Sequence, residues 1–584
     1  MESTQAIETL YDFISNLRQR NLQLHSDNNK PIPHGQSLAY ADALLRHRYV
    51  RSALEVLPPQ IVVIGPTQAG KGTIVNLLLG TEMAQASPLA GFTRHVQGFT
   101  SAEVNDTLSA EVQRLLPEWK SVRPEQLNNE KLGTFSLVHT EANNLNPGEN
   151  FIIWDTPDFD SVSSRDYRAT VPVMCAMADA IVLVVSKEKY ADQSVWGLLK
   201  LIAAIQRPLF VLINKTAKEN MQTLKQAMQE KLDKAGIHSQ TILCLPYQHG
   251  PVTPATLTTP EDIQTLRNQI QQVLNQPAHT TPVATLKNWL GDYWDEWLTP
   301  AKSEINSRNA WTKLLNDQQT EAIEQFDRDY LQQPHYSETL QKAIIRLLEL
   351  LEVPSVANGL QTMRQIITWP ARKIGSLIKD QTRFRHDKKK EDRETTILKE
   401  VCLHYQINLQ NQIVRRADDQ WWKNMDSEFQ NQQSGLEGLI ESAIRKHKQA
   451  FEPEIELAAN QLLDYLKKHP VALNSLRTAR VTADAAAVLL ALKTGGIALH
   501  DLALAPAFVA ISSFMAEGAV GQHMQSVEEE LKKKQLISVQ ENIFENSLRQ
   551  TLVKLSDNMS KDGLYNFTKA EVENADAALE KLNG

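Results

Sequence analysis

Two hydrophobic rhythms divide the chain. Between about 58 and 247, short apolar runs rich in β-branched residues recur and stop at turn-forming or polar residues. They are IVVIG at 61–65, FIIWDTP at 151–157, AIVLVVS at 180–186, PLFVLINK at 208–215 and TILCLPY at 241–247. Runs this short and this uniformly apolar predict strands buried on both faces, as in a parallel sheet. Helical segments separate several of them, for instance at 218–236. The expectation is an α/β domain, mostly parallel, with helices on both faces. From about 283 onward the strand signal stops. Long amphipathic segments rich in Gln, Leu, Lys and Glu predict an all-α stalk or bundle. The first 55 residues are helical too. Leu10, Phe13, Ile14 and Leu17 recur at helical spacing, and a second helix covers roughly 37–55 after the turn-rich DNNKPIPHG. The expected division is 1–55 as helices packing with the stalk, 56–280 as the α/β domain and 281–584 as the helical part. Trp289, Trp294 and Trp297 predict a packed core where the stalk meets the α/β domain.

Ligands in such sheets sit at the carboxyl ends of strands. The chemistry here falls there. Immediately after the first strand comes Gly65-Pro-Thr-Gln-Ala-Gly-Lys-Gly-Thr73, followed by the apolar helix TIVNLLLG. Strand, G-x-x-x-x-G-K, helix is the context in which a phosphate-binding loop is meaningful. Main-chain N–H groups from Gln68 to Thr73 would surround a β-phosphate. The helix N-terminus adds roughly half a positive charge. Lys71 would reach the β- and γ-phosphates. The usual hydroxyl after the lysine is absent: Gly72 stands there and the hydroxyl arrives at Thr73. Mg²⁺ keeps waters readily, so a water or a shifted Thr73 can fill that place.

With PLAGFTRH at 88–95, WDTPDFDSV at 154–162 and FVLINK at 210–215, the chain resembles a GTPase of the dynamin superfamily and its bacterial relatives. The resemblance covers about 56–275 at motif level. It implies a P-loop GTPase domain with a helical stalk, GTP as ligand and Mg²⁺ as cofactor. Thr93 matches the switch threonine that contacts the metal and places the attacking water. Asp155 matches the aspartate that orients the metal's water shell, so Thr73, Thr93 and Asp155 form the implied metal set. Gln68 lies where the dynamin family uses a polar residue against transition-state charge, beside Lys71 and Thr93 as the implied catalytic group. Asn214 and Lys215 match the first two residues of the N-K-x-D base motif.

Three positions depart from the pattern. Gly72 removes a metal ligand. Asp158 replaces the glycine of D-T-P-G, whose N–H normally meets the γ-phosphate; its carboxylate must point away or weaken that contact. Ala217 replaces the aspartate that accepts two hydrogen bonds from guanine, and Glu219 is a candidate replacement acceptor. GTP versus ATP therefore stays open, as does turnover versus a degenerate, non-hydrolysing scaffold. G-K-G-T also occurs in nucleoside monophosphate kinases, but no arginine-rich lid accompanies it.

Two interruptions of the helical part bear on membranes. Segment 353–394 mixes Trp369 and apolar residues with Arg372, Lys373, Arg383, Arg385 and Lys388–Lys390, a composition suited to an anionic bilayer surface or to a solvated hinge. Segment 481–521 is the most apolar stretch. Lys493 and the following Thr-Gly-Gly break it, and its second arm carries His500, Asp501 and Pro506. It suits a shallow insertion or a packed hairpin better than a span, which needs about 20 apolar residues. The net charge of −8 gives no global attraction to nucleic acid, and no nucleic-acid partner is expected. The implied partners are a guanine nucleotide, an anionic membrane and further copies of the chain. The N-terminus lacks a signal-peptide core, and Cys175, Cys244 and Cys402 form no metal or redox spacing. The expectation is a cytoplasmic protein, with peripheral placement at the inner membrane as its membrane-bound form.

Overall fold

The computed structural model describes residues 2–25, 32–51, 57–84, 95–127, 133–142, 144–145, 148–159, 169–247, 261–276, 281–333, 338–351, 392–478, 518–560 and 566–582. Thr93 and nearly all of 353–394 and 481–521 lie outside them. The chain divides into two compact units, Met1–Ser303 with Asn566–Gly584, and Glu304–Tyr565.

The first unit is built on a sheet of eight strands: β1 Gln60–Ile64, β2 Val96–Thr100, β3 Lys120–Ser121, β4 Thr134–His139, β5 Ile152–Asp155, β6 Ala180–Ser186, β7 Leu209–Thr216 and β8 Thr241–Pro246. Their spatial order is β3-β4-β2-β5-β1-β6-β7-β8. Every pairing is parallel except β2 with β5. The five apolar runs appear as β1, β5, β6, β7 and β8. The other three strands are additional to those expected.

The helices of this unit are α1 Glu2–Leu24, α2 Gly35–Arg51, α3 Lys71–Leu79, α4 Asp106–Leu115, α5 Thr170–Met177, α6 Gln193–Ala203, α7 Met221–Lys234 and α8 Glu261–Leu274. Alternate strand residues (Ile61, Val63, Ile153, Val182, Phe210) pack on Ile74 and Leu78 of α3 and on Ile263, Leu266 and Ile270 of α8. Each such buried side chain contributes about 1.5–3 kcal/mol of transfer free energy, so β1 and α3 are held rigidly on either side of the loop between them.

The helix α9, Val283–Phe326, runs through the division between the units. The division falls at Ser303 rather than at 280, for a physical reason. Trp289, Trp294 and Trp297 are all buried in the first unit, and their indole N–H groups donate to Leu201 O (3.2 Å), Asp576 Oδ1 (2.7 Å) and Ser37 Oγ (3.0 Å). The N-terminal helices likewise sit in the first unit. α2 packs on α5, and Tyr40 meets Trp289 edge to face. Phe13 of α1 packs on Phe567, which leads into the last helix. Arg18 and Arg46 both pair with the buried Asp42, joining α1 to α2.

The second unit contains the rest of α9, α10 Glu338–Leu350, α11 Arg393–Val414, α12 Gln420–Lys468, α13 Pro470–Thr478, α14 Gly518–Val539, a π-helical stretch Gln540–Arg549, and α15 Gln550–Ser560. The last helix, α16 Lys569–Lys581, belongs to the first unit. Leu340, Ile344, Phe451, Ile455, Leu462 and Leu531 form a core joining α10, α12 and α14. Among the described residues no helix is long and apolar enough to cross a membrane. Cys175, Cys244 and Cys402 are free and buried.

Candidate nucleotide site

Five buried residues make β1, and the chain leaves it through Gly65. A Cβ at Gly65 would collide with the Val184 carbonyl oxygen of the neighbouring strand, so only glycine lets the loop start this close to the sheet. The loop turns through Gln68 (φ 61°) and Gly70 (φ 96°), both left-handed. At Gly70 a side chain would also strike the Asn214 amide. α3 then starts at Lys71 with no side-chain cap, which leaves its first N–H groups without a cap from the chain. Loop, helix terminus and lysine thus stand in the order required of an anion cradle.

The second wall is the end of β5. Thr156 Oγ1 donates to Val63 O at 2.8 Å, fastening that end to β1. Asp155 is only 2% exposed, and among the described residues its Oδ1 has no hydrogen-bond partner. Burial, with Lys71 opposing and Asp158 adding to it, pushes its carboxyl up to about 7. A buried acceptor held without a partner is costly. It is the kind of oxygen that a cation or its water would satisfy. The donor set therefore fits Mg²⁺: Asp155 is present, and Thr73 supplies a half-buried hydroxyl on the first turn of α3.

Lys71 is 5% exposed. Its Nζ donates to Gly65 O (3.1 Å) and Pro66 O (3.4 Å) and forms an ion pair with Asp158 Oδ1. The Asp158 side chain does not point away from the loop, as keeping the expected γ-phosphate contact would require. It sits on the lysine.

The third wall is the end of β7. Asn214 Nδ2 donates to Ala69 O at 2.9 Å, and its Oδ1 accepts from Lys215 N at 2.9 Å. Lys215, at φ 60°, sends its Nζ to Gln68 O at 2.7 Å. The two residues of the base motif are therefore bound to the phosphate loop itself. Ala217 and Glu219 are both exposed beyond them.

The structure thus brings together Gly65, Gln68, Ala69, Gly70, Lys71, Gly72, Thr73, Asp155, Asp158, Asn214 and Lys215. Asn76 is an addition that the motif reading passed over. From inside α3, its Oδ1 accepts from Met83 N (2.9 Å) and Ala84 N (2.7 Å), fixing the chain that leads towards the segment containing Thr93. The signal was present in VNLLLG: a polar residue inside an otherwise apolar helix needs partners.

Residues 60–215 match the family model described as 50S ribosome-binding GTPase. No curated protein matches the sequence. Among solved structures the chain is similar to two of an oligomerised bacterial dynamin pair, described as providing a mechanism for long-range sensing and tethering of membranes. The first is 12% identical with a TM-score of 0.28, over 98% of this chain and 82% of that one. The second is 11% identical with a TM-score of 0.31, over 97% and 95%. The LeoA bacterial dynamin GTPase from ETEC is 14% identical with a TM-score of 0.25, over 100% and 94%. Residues 60–215 therefore form a P-loop GTPase domain.

Proposed function

We propose that this chain binds a guanine nucleoside triphosphate with Mg²⁺ between Gly65–Thr73, Asp155 and Asn214–Lys215, hydrolyses it, and couples nucleotide state to its helical unit in a dynamin-like manner. The single observation carrying the nucleotide part is the uncapped start of α3 behind a left-handed glycine loop, with Lys71 acting on the charge of Asp155, whose Oδ1 has no hydrogen-bond partner among the described residues. Loop N–H groups and Lys71 hold the phosphates. Asp155 and Thr73 hold the ion, which supplies charge neutralisation on the phosphate oxygens when bound. Asn214 and Lys215 brace the loop from behind. Gln68 and Thr93 act on the attacking water and the transferred group, so that positioning and electrostatics carry the reaction to water without a protein nucleophile.

The membrane and self-association parts rest on the motif resemblance and on the composition of 353–394 and 481–521. A second reading, a nucleotide-dependent scaffold without turnover, is favoured by one observation: Lys71 is occupied by Asp158.

Lys71→Ala removes the buried ammonium at the start of α3. Calorimetric titration should show nucleotide affinity falling at least 100-fold; unchanged affinity would remove this site from the proposal. Phosphate release with Mg²⁺ separates the two readings. The hydrolase releases phosphate through many turnovers. The scaffold binds the triphosphate and releases none.

A further inference from the structure

The contact between Lys71 and Asp158 has a consequence for ligand choice. An ammonium has three donors. In this structure Lys71 has three acceptors: Gly65 O, Pro66 O and the Asp158 carboxylate. None is left for a phosphate. Asp158 is itself 9% exposed, so its charge is settled chiefly by Lys71 and not by water. Behind it stands Asp155, buried, with one oxygen unpartnered among the described residues. Two carboxylates therefore already border the region where a terminal phosphate would sit. One of them holds the cation that phosphate needs.

We propose that Asp158 is a specificity-determining residue: its carboxylate is a tethered rival of the terminal phosphate for Lys71, and biases the pocket towards nucleoside diphosphate. The inference deepens the nucleotide reading above and rests on it. The β-phosphate is held by the loop's main-chain N–H groups as well as by Lys71, so it keeps most of its contacts while Asp158 rests on the lysine. A terminal phosphate must displace Asp158 from Lys71 and then remain beside the displaced charge. The penalty falls on the triphosphate far more than on the diphosphate. It falls hardest before a metal ion is present, because the like charges are then unscreened. The pairing also accounts for the departure from glycine at this position. An N–H alone would suffice for γ-phosphate contact; an aspartate adds a group that must be moved first.

The test compares the full chain with Asp158→Asn and Asp158→Gly. Affinities for GDP and for a non-hydrolysable GTP analogue are measured by calorimetry with and without Mg²⁺. In the parent chain the diphosphate should bind more tightly than the analogue. Both variants should shift the affinity ratio at least tenfold towards the analogue, with GDP affinity moving less than threefold. The shift should be larger without Mg²⁺. A ratio unchanged in both variants, or moving towards GDP, overturns the proposal. So does a parallel loss of both affinities, which would mark Asp158 as a purely structural partner of Lys71. If neither nucleotide binds the parent or either variant, while thermal melts show all three folded, the nucleotide reading itself fails and this proposal falls with it. That outcome is distinct from an unchanged ratio.

Discussion

The two units each bury a carboxylate, and the two fare differently. Asp155 and Glu394 are 2% and 3% exposed. Glu394, at the start of α11, accepts from Gln535 Nε2 at 2.7 Å and lies 3.1 Å from His447 Nε2. The network closes further out. His447 Nδ1 is 2.9 Å from Ser538 Oγ, and Thr339 Oγ1 donates to Gln535 Oε1 at 2.9 Å. Burial pushes Glu394 up, but the His447 hydrogen bond, Lys342, the His447 charge and the Gln535 hydrogen bond together outweigh it. Its carboxyl ends below the usual range. At Asp155 burial wins, because Asp158 offsets part of what Lys71 offers and one oxygen has no partner among the described residues. Equal burial has opposite outcomes, and hydrogen-bond closure decides which. A closed network ties four helices together. An open one keeps an acceptor for something that arrives later.

Removing one member of the closed network should have the largest effect. Glu394→Ala strands His447 and Gln535 in the core and should cost about 3–5 kcal/mol, read as lost hydrogen-exchange protection across α10, α11, α12 and α14. Lys71→Ala leaves Asp158, 9% exposed, without its ion-pair partner but strands one group rather than two, and should cost less, about 1–3 kcal/mol. Equal losses at both places would erase the distinction between a structural and a ligand-ready pair.

Acidity gives the next test, because the two shifts have opposite signs. The folded chain keeps the Asp155 proton up to about pH 7, whereas the unfolded chain loses it near 3.8. The stability from this group is therefore full below the unfolded value and is lost as pH rises through the folded one. Its slope in between reaches about 1.4 kcal/mol per pH unit at most. Glu394 runs the other way. Its contribution is present above the unfolded value of 4.5 and is lost as pH falls through its depressed folded value. In nucleotide-free protein, Asp155→Asn should flatten the fall in first-unit protection between pH 5 and 7 and leave the second unit unchanged. A fall that survives the substitution would place the titrating group elsewhere.

The smallest effect on stability is expected at Ala217, which is exposed just beyond the end of β7. A new carboxylate there remains hydrated. Ala217→Asp should change stability by less than about 0.5 kcal/mol while raising the preference for GTP over ATP at least about tenfold, a low value for two added hydrogen bonds to a carboxylate. Competition between the two nucleotides measures it. A preference that does not move would show that base recognition does not use this position.

How much of this was legible in the chain depends on the range of the interaction. The runs that became β1, β5, β6, β7 and β8 are apolar at nearly every position and announce themselves. β2 and β4 carry Gln97, Gly98, Ser136 and His139, which break the apolar rhythm, and they are strands because neighbouring strands complete their hydrogen bonds. The membership of α1, α2 and α16 in the first unit was equally hidden. Amphipathic periodicity shows that a helix has an apolar face but not which partner covers it.

Local pattern along the chain fixes the strand–loop–helix order, the glycines that only a close approach or a left-handed turn requires, and the three departures at Gly72, Asp158 and Ala217. The contacts of the folded chain set Asp158 on Lys71, make Asn214 and Lys215 clasp the loop at Ala69 and Gln68, and leave Asp155 an oxygen without a partner among the described residues. The reason is physical. Propensity and periodicity are local, whereas the protonation and hydrogen-bond satisfaction of a buried group depend on whatever distant residues the fold sets against it.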